Sequence, residues 1–155
     1  MELIKTDQLS DVQKLQILKI WNNEYPARLN YNSLEEFEDY LSKLTDQKHL
    51  LILDKDQNVF GWYFHFIRDA ERWFAIILDS KIQNQGYGTM LLNEGKTLSS
   101  ELNGWVMDRN DFKKNGEVYS SPLPFYLKNG FELLAEVRLE IDKMSAVKIR
   151  WTQPA

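Results

Sequence analysis

The residues best suited to chemistry form a polar turn with two glycines at positions 83–89. An apolar run at 73–79 precedes the turn, and a helical pattern follows it. The first amide N–H groups of a helix have no partner within the helix, and the macrodipole adds partial positive charge there. Gly86 and Gly88 carry no Cβ, so a phosphate can approach the backbone closely. The turn therefore predicts an anion site.

Composition limits the classes of protein that fit. The chain has 155 residues, which predicts one domain over residues 1–155. The net charge of −4 offers no basic excess for a nucleic-acid partner. Cysteine is absent, which excludes disulfides, thiolate metal sites and a cysteine nucleophile. No stretch has the length and apolarity of a signal peptide or a membrane span, so we expect a cytoplasmic protein without a membrane partner.

The first third of the chain predicts a short strand followed by two helices. Ser10 or Asp11 caps the first helix, and one side of this helix is expected to carry Val12, Leu15, Leu18 and Ile20 or Trp21. Ser33 caps the second helix, whose apolar residues recur at helical spacing.

Strand character recurs through the rest of the chain, at residues 49–54, 59–68, 73–79, 102–107, 131–141 and 144–151. Tight turns separate the first three strands and the last two, which predicts antiparallel pairing. The helix between the third and fourth strands predicts a right-handed parallel crossover. Residues 108–121 are expected to form a long loop. The fold class is therefore α/β with a mixed, mostly antiparallel sheet, one parallel strand–helix–strand crossover and helices on both faces.

Two motifs resemble those of a known family. The Gln-x-x-Gly-x-Gly pattern at 83–88 resembles the acyl-CoA pyrophosphate loop of the GNAT superfamily of N-acyltransferases. The Tyr-x-Lys-x-Gly-Phe pattern at 126–131 resembles the signature of that family's fourth helix. The order of elements matches along nearly the whole chain. Tyr119 and Pro122 stand where the family often has an asparagine and a small residue, so those CoA contacts are not carried over.

The resemblance implies an N-acetyltransferase that moves an acetyl group from the cosubstrate acetyl-CoA to a primary amine, by direct attack in a ternary complex and without a metal. It places the backbone N–H of Leu78 at the developing oxyanion. Tyr126 would protonate the thiolate, and Asp79 is the best-placed base for the amine. The predicted cofactor-binding residues are Ile77, Leu78, Gln83, Asn84, Gln85, Gly86, Tyr87, Gly88 and Thr89.

Other interpretations of the same residues stay open. Tyr126 and His65 fit a packed core, and Asp79 fits an ordinary turn residue or helix cap. The domain could be a catalytically silent acyl-CoA-binding module, or an unrelated nucleotide-binding domain, although Gly88-Thr89 lacks the P-loop ending. The acceptor is expected to be a small-molecule or peptide amine, and the protein a monomer or a homodimer.

Overall fold

The computed structural model describes residues 1–155 and contains thirteen helices and strands and two short 3₁₀ turns. Their bounds are β1 (Glu2–Thr6), α1 (Asp11–Glu24), α2 (Leu34–Ser42), β2 (Thr45–Leu53), β3 (Val59–Arg68), β4 (Glu71–Leu78), α3 (Tyr87–Thr97), β5 (Glu101–Val106), β6 (Asp111–Phe112), β7 (Val118–Tyr119), α4 (Leu123–Lys128), β8 (Glu132–Ile141) and β9 (Met144–Thr152). The 3₁₀ turns are Ala27–Leu29 and Ser80–Ile82. None of the helices has the length and apolarity that a membrane span requires.

Seven strands form one sheet in the order β1-β2-β3-β4-β5-β9-β8. Every neighbouring pair is antiparallel except β4 and β5, which are parallel. The α3 helix connects this parallel pair, so the predicted mixed sheet with a single strand–helix–strand crossover is confirmed.

Each face of the sheet carries its own apolar core. On the α1–α2 face the largest buried side chains are aromatic, namely Trp21, Phe37, Trp62, Phe64, Phe66 and Trp73. The α3–α4 face buries Tyr63, Phe74, Leu91, Leu92, Tyr126 and Phe131. Helices therefore cover both faces, as predicted.

The α3 helix packs very closely on the sheet at Gly95. A Cβ at this position would lie 2.6 Å from the ring of Tyr63. The tyrosine hydroxyl is fixed in turn by a 2.7 Å hydrogen bond with Nδ1 of His65. This close contact explains why a glycine stands inside the helix.

The predicted apolar side of α1 is correct in the second half of the helix and wrong in the first half. Val12 and Leu15 are 63% and 53% exposed, whereas Ile17, Ile20 and Trp21 are buried. The apolar residues of α1 do not form one stripe, so periodicity could not select a face, and only the second half of the helix packs on the sheet. Ser10 does cap the helix, through a capping box with Gln13.

The segment 108–121, which was predicted to be a long loop, carries two short strands. It contains the two-stranded β6–β7 hairpin, in which Lys113 donates its backbone N–H to the carbonyl of Glu117 at 2.9 Å. Gly116 adopts a left-handed φ of +88° at the hairpin turn. Two-residue strands are too short to produce a readable alternation in the sequence, which explains the error.

Candidate active site

The site begins where the parallel strands β4 and β5 separate. They pair at a single position, Trp73 with Asn103, and diverge toward the C-terminal end of β4. On the other edge of β4, Asp79 donates its N–H to the carbonyl of Phe60 at 2.8 Å. Because hydrogen-bonding direction alternates along an antiparallel strand, the N–H of Leu78 points away from β3 and into this gap.

A cleft of about 890 Å³ passes through the gap and reaches both faces of the sheet. Such a volume is typical of small-molecule and cofactor sites. The walls come from α1, β4, β5, α3, α4 and the β6–β7 hairpin. Among the predicted site residues, the cleft is lined by Ile77, Leu78, Gln83, Asn84, Gly86, Gly88, Thr89 and Tyr126. The structure therefore brings most of the predicted residues together.

The glycine turn presents free backbone donors at one end of the cleft. The amide N–H groups of residues 85–89 donate to no acceptor in the protein. Gly86 has φ of +89°, which a side chain would strain, and Asn84 has φ of +61°. Gly88 has a different role, because a Cβ there would lie 3.0 Å from the ring of Phe125 in α4.

Side chains also brace the turn against β4. The Gln83 side-chain amide donates to the carbonyl of Leu78 at 2.9 Å. The side-chain amide of Gln85 donates to the carbonyl of Lys81 at 3.0 Å. The first of these bonds links the glycine turn directly to Leu78, the residue whose N–H enters the gap.

Tyr126 is buried in α4, where its ring meets those of Phe74 and Phe131 edge-on. Its side chain lines the cleft, and its hydroxyl makes no hydrogen bond within the protein. Burial raises the pKa of Tyr126 well above 10, so the phenol keeps its proton at neutral pH. A neutral hydroxyl that is free to donate is what a proton donor requires.

Asp79 caps the short turn after β4 and does not line the cleft. Its carboxylate accepts the N–H of Lys81 at 2.8 Å. The carboxylate that does line the cleft is Glu24, at the end of α1. Glu24 is buried, accepts the N–H of Ser80 at 2.7 Å and pairs with Nζ of Lys113 at 3.0 Å.

Sequence reasoning gave Glu24 and Tyr25 no specific role, although the loop at 24–32, which carries Tyr25, is long and polar enough to shape a pocket. The Tyr25 hydroxyl donates to the carbonyl of Ile76 in β4 at 3.2 Å, and its ring meets that of Tyr119 at 6.2 Å. Both residues lie in a polar stretch that ends a helix, and their partners are more than fifty positions away in the chain. No local pattern carries such information.

Both histidines are buried in the core, which the alternative interpretation held for His65. His65 is bonded to the Tyr63 hydroxyl, and His49 accepts the indole N–H of Trp62 at 3.0 Å. Burial lowers the pKa of each histidine to about 4. No group of three or more His, Cys, Asp or Glu side chains is placed to hold a metal ion.

Comparison with solved structures gives the class of fold. An aminoglycoside 6'-N-acetyltransferase complexed with coenzyme A superposes with a TM-score of 0.72 at 15% identity, over 98% of this chain and 97% of that one. A GNAT superfamily phosphinothricin acetyltransferase from Sinorhizobium meliloti, in complex with AcCoA, superposes with a TM-score of 0.66 at 14% identity, over 99% and 89%.

A spermidine N-acetyltransferase from Vibrio cholerae superposes with a TM-score of 0.66 at 17% identity, over 99% of this chain and 95% of that one. The chain therefore has the fold of GNAT-superfamily acetyltransferases, and the resemblance seen in its motifs is confirmed for the fold. No protein-family model and no curated protein sequence matches the chain.

Proposed function

We propose that the protein is an N-acetyltransferase that transfers an acetyl group from acetyl-CoA to a primary amine. The observation that carries this proposal is the row of unbonded amides at residues 85–89, beside a gap into which the N–H of Leu78 points. Solved structures with this fold include complexes with coenzyme A and AcCoA, which supports the same cosubstrate here.

The diphosphate of the cosubstrate would lie on the start of α3. An exposed helix dipole contributes about 0.3–1 kcal/mol to binding an anion, so several N–H groups must share the task. The five amides of residues 85–89 provide that number of donors. The predicted contacts from Gln83 and Asn84 complete the turn, and those from Ile77 and Leu78 follow the pantetheine arm into the gap.

Transfer would proceed by direct attack. The amine nitrogen bonds to the thioester carbonyl carbon, the carbonyl oxygen gains negative charge, and the N–H of Leu78 stabilises this oxyanion. As the intermediate collapses, the carbon–sulfur bond breaks. The nitrogen, which is positively charged after its attack, gives up its second proton to solvent. The thiolate takes a proton from Tyr126, which regains one from solvent, and the products are free CoA and the amide.

The ammonium form of the acceptor must lose one proton before it attacks. Asp79 is the sequence-based candidate for the base, but its carboxylate does not line the cleft. We propose Glu24 instead as the group that receives this proton through water, because it is the carboxylate that lines the cleft. The pH dependence of kcat/KM in Glu24→Gln and in Asp79→Asn distinguishes the two candidates. Only the variant that lacks the base should lose the decrease of rate toward acidic pH.

We further propose a single domain over residues 1–155, acting in the cytoplasm as a monomer or homodimer on a small-molecule or peptide amine. The net charge of −4 supports the absence of a nucleic-acid partner.

The decisive experiment measures acetyl-CoA affinity by calorimetry in two glycine variants. Gly86 and Gly116 have φ of +89° and +88° with open space around both, so valine strains each backbone equally. We expect Gly86→Val to weaken binding about ten-fold or more, because several amide bonds are lost, and Gly116→Val to leave it unchanged. Equal affinities in both variants would refute the diphosphate site. Normal CoA binding without turnover of any amine would instead favour a silent binding module.

A further inference from the structure

The part of the cleft on the α1–α2 face has an elongated floor along β4. Trp73, Ala75 and Ile77 alternate onto this face, and all three line the cleft. Four residues of strand at about 3.3 Å each separate the ends of the floor by about 13 Å. Ile77 lies next to the gap at Leu78, and the small side chain of Ala75 leaves room above the middle. The floor therefore suits a long, narrow acceptor.

The walls above this floor are largely aromatic. The Trp105 ring stacks on that of Trp73 at 5.1 Å and 27°, and Tyr31 and Tyr40 line the opposite side. Flat apolar walls favour a ligand whose central part is apolar or planar.

Arg68 closes the far end of the floor. Its guanidinium lies 4.9 Å from the ring centroid of Trp73 and 5.3 Å from that of Phe66, which holds the planar group in place. It makes no ion pair or hydrogen bond within the protein, whereas Arg28 and Arg72 both pair with carboxylates. The Arg68 side chain also lines an adjoining cavity of about 560 Å³.

The charges along the cleft that lack an ionic partner are all positive, namely Arg68, Lys128 and Lys143. The single carboxylate in the lining, Glu24, is already held by Lys113 and by the Ser80 amide. Lys128 lies one turn beyond Phe125, the residue against Gly88, which places it at the diphosphate end. Arg68 is thus the cation without an ionic partner at the far end of the floor, in a chain whose net charge is −4.

We propose that the acceptor is an elongated amine that carries a carboxylate at the end opposite the amine, and that Arg68 binds this carboxylate. The inference rests on the proposed function, since it places the amine at the thioester near Leu78. The planar guanidinium matches a carboxylate with two parallel hydrogen bonds. Polyamines and other polycations would bring a second positive charge to Arg68 and are disfavoured.

The test compares three series of primary amines of matched length: ω-amino acids, the corresponding alkylamines and the corresponding α,ω-diamines. In the unmodified protein with acetyl-CoA, we expect kcat/KM to decrease in that order. The longer ω-amino acids, whose ends can span the floor, should be preferred over alkylamines by about 10- to 100-fold.

Three variants assign the preference to one side chain. Arg68→Gln should remove most of the ratio between ω-amino acids and alkylamines, and Arg68→Glu should reverse the ratio between ω-amino acids and diamines. Lys19→Gln is the control, because Lys19 is an exposed cation of α1 that lines neither cavity. An unchanged ratio in Arg68→Gln, or a preference for diamines in the unmodified protein, would overturn the proposal.

Binding of the ω-amino acids to the CoA complex, measured by calorimetry, tests the carboxylate subsite independently of the proposed acetyl transfer. Absence of turnover with every amine would count against the proposed reaction alone. In that case, carboxylate-dependent binding that Arg68→Gln abolishes still supports the anionic subsite, and binding that is independent of Arg68 or absent refutes it.

Discussion

The two faces of the sheet are built in different ways. On the α3–α4 face, glycines set the geometry: Gly88 admits Phe125, and Gly95 admits the Tyr63 ring. On the α1–α2 face, long-range polar contacts do so, such as the ion pair between Glu24 and Lys113. The first face is encoded by short patterns, and the second by residues far apart in the chain. We expect the first face to hold the cosubstrate and the second to select the acceptor.

The largest expected effect is on catalysis, and it tests whether the α3–α4 face supplies the general acid. Tyr126→Phe should lower kcat by about 10²–10⁴-fold, the usual contribution of a general acid. The free energy of unfolding should change little, because the hydroxyl has no partner in the protein and the ring is retained. Steady-state acetylation assays measure kcat, and urea unfolding measures the free energy of unfolding. Tyr119→Phe is the matched control, and an equal loss of rate in both variants would contradict the assignment.

The next effect tests whether ionic contacts hold the α1–α2 side of the cleft. Glu24→Gln should cost about 3 kcal/mol of unfolding free energy, because it leaves a largely buried Lys113 ammonium without its partner. The double variant with Lys113→Met should recover part of this loss. Urea unfolding of the two single variants and the double variant gives the coupling energy, and additive losses would show that the pair is not coupled.

A comparison across acidic pH examines one buried histidine on each face. Burial lowers the pKa of His49 and His65 from 6.5 to about 4, so only the unfolded chain takes up protons between these values. Their contribution is complete above pH 6.5 and is lost as the pH falls toward 4. We expect a loss of about 3 kcal/mol for each histidine over this window. Urea unfolding at several pH values measures the slope, which should be shallower in His65→Gln.

The smallest effect concerns packing under α3. Gly95→Ala should destabilise the protein by about 1–3 kcal/mol, because the new methyl group overlaps the Tyr63 ring and outweighs the better helix propensity of alanine. Asn93→Ala, at an exposed position of the same helix, should be neutral or slightly stabilising. Thermal unfolding of the two variants checks the sign, and a stabilised Gly95→Ala would contradict the close contact.

The same contrast explains what the sequence could predict. The glycine turn, the succession of helices and strands along the chain, the antiparallel hairpins and the capped helices depend on neighbours within a few residues, and these features were predicted. The buried side of α1, the β6–β7 hairpin and the roles of Glu24 and Tyr25 depend on partners brought together by the whole fold. The contacts of Arg68 with the rings of Phe66 and Trp73 also could not be predicted, because the pairing of β3 with β4 brings Trp73 beside it.

Because β4 and β5 pair at a single position, neighbouring amides of β4 should differ in hydrogen exchange. Along β4, the N–H of Asp79 bonds to β3, whereas the N–H of Leu78 faces the gap. Without ligand, deuterium should therefore enter at Leu78 much sooner than at Asp79, although the two are consecutive. A cosubstrate in the gap would slow the labelling of Leu78 alone, so one pair of neighbouring amides can report occupancy of the cleft.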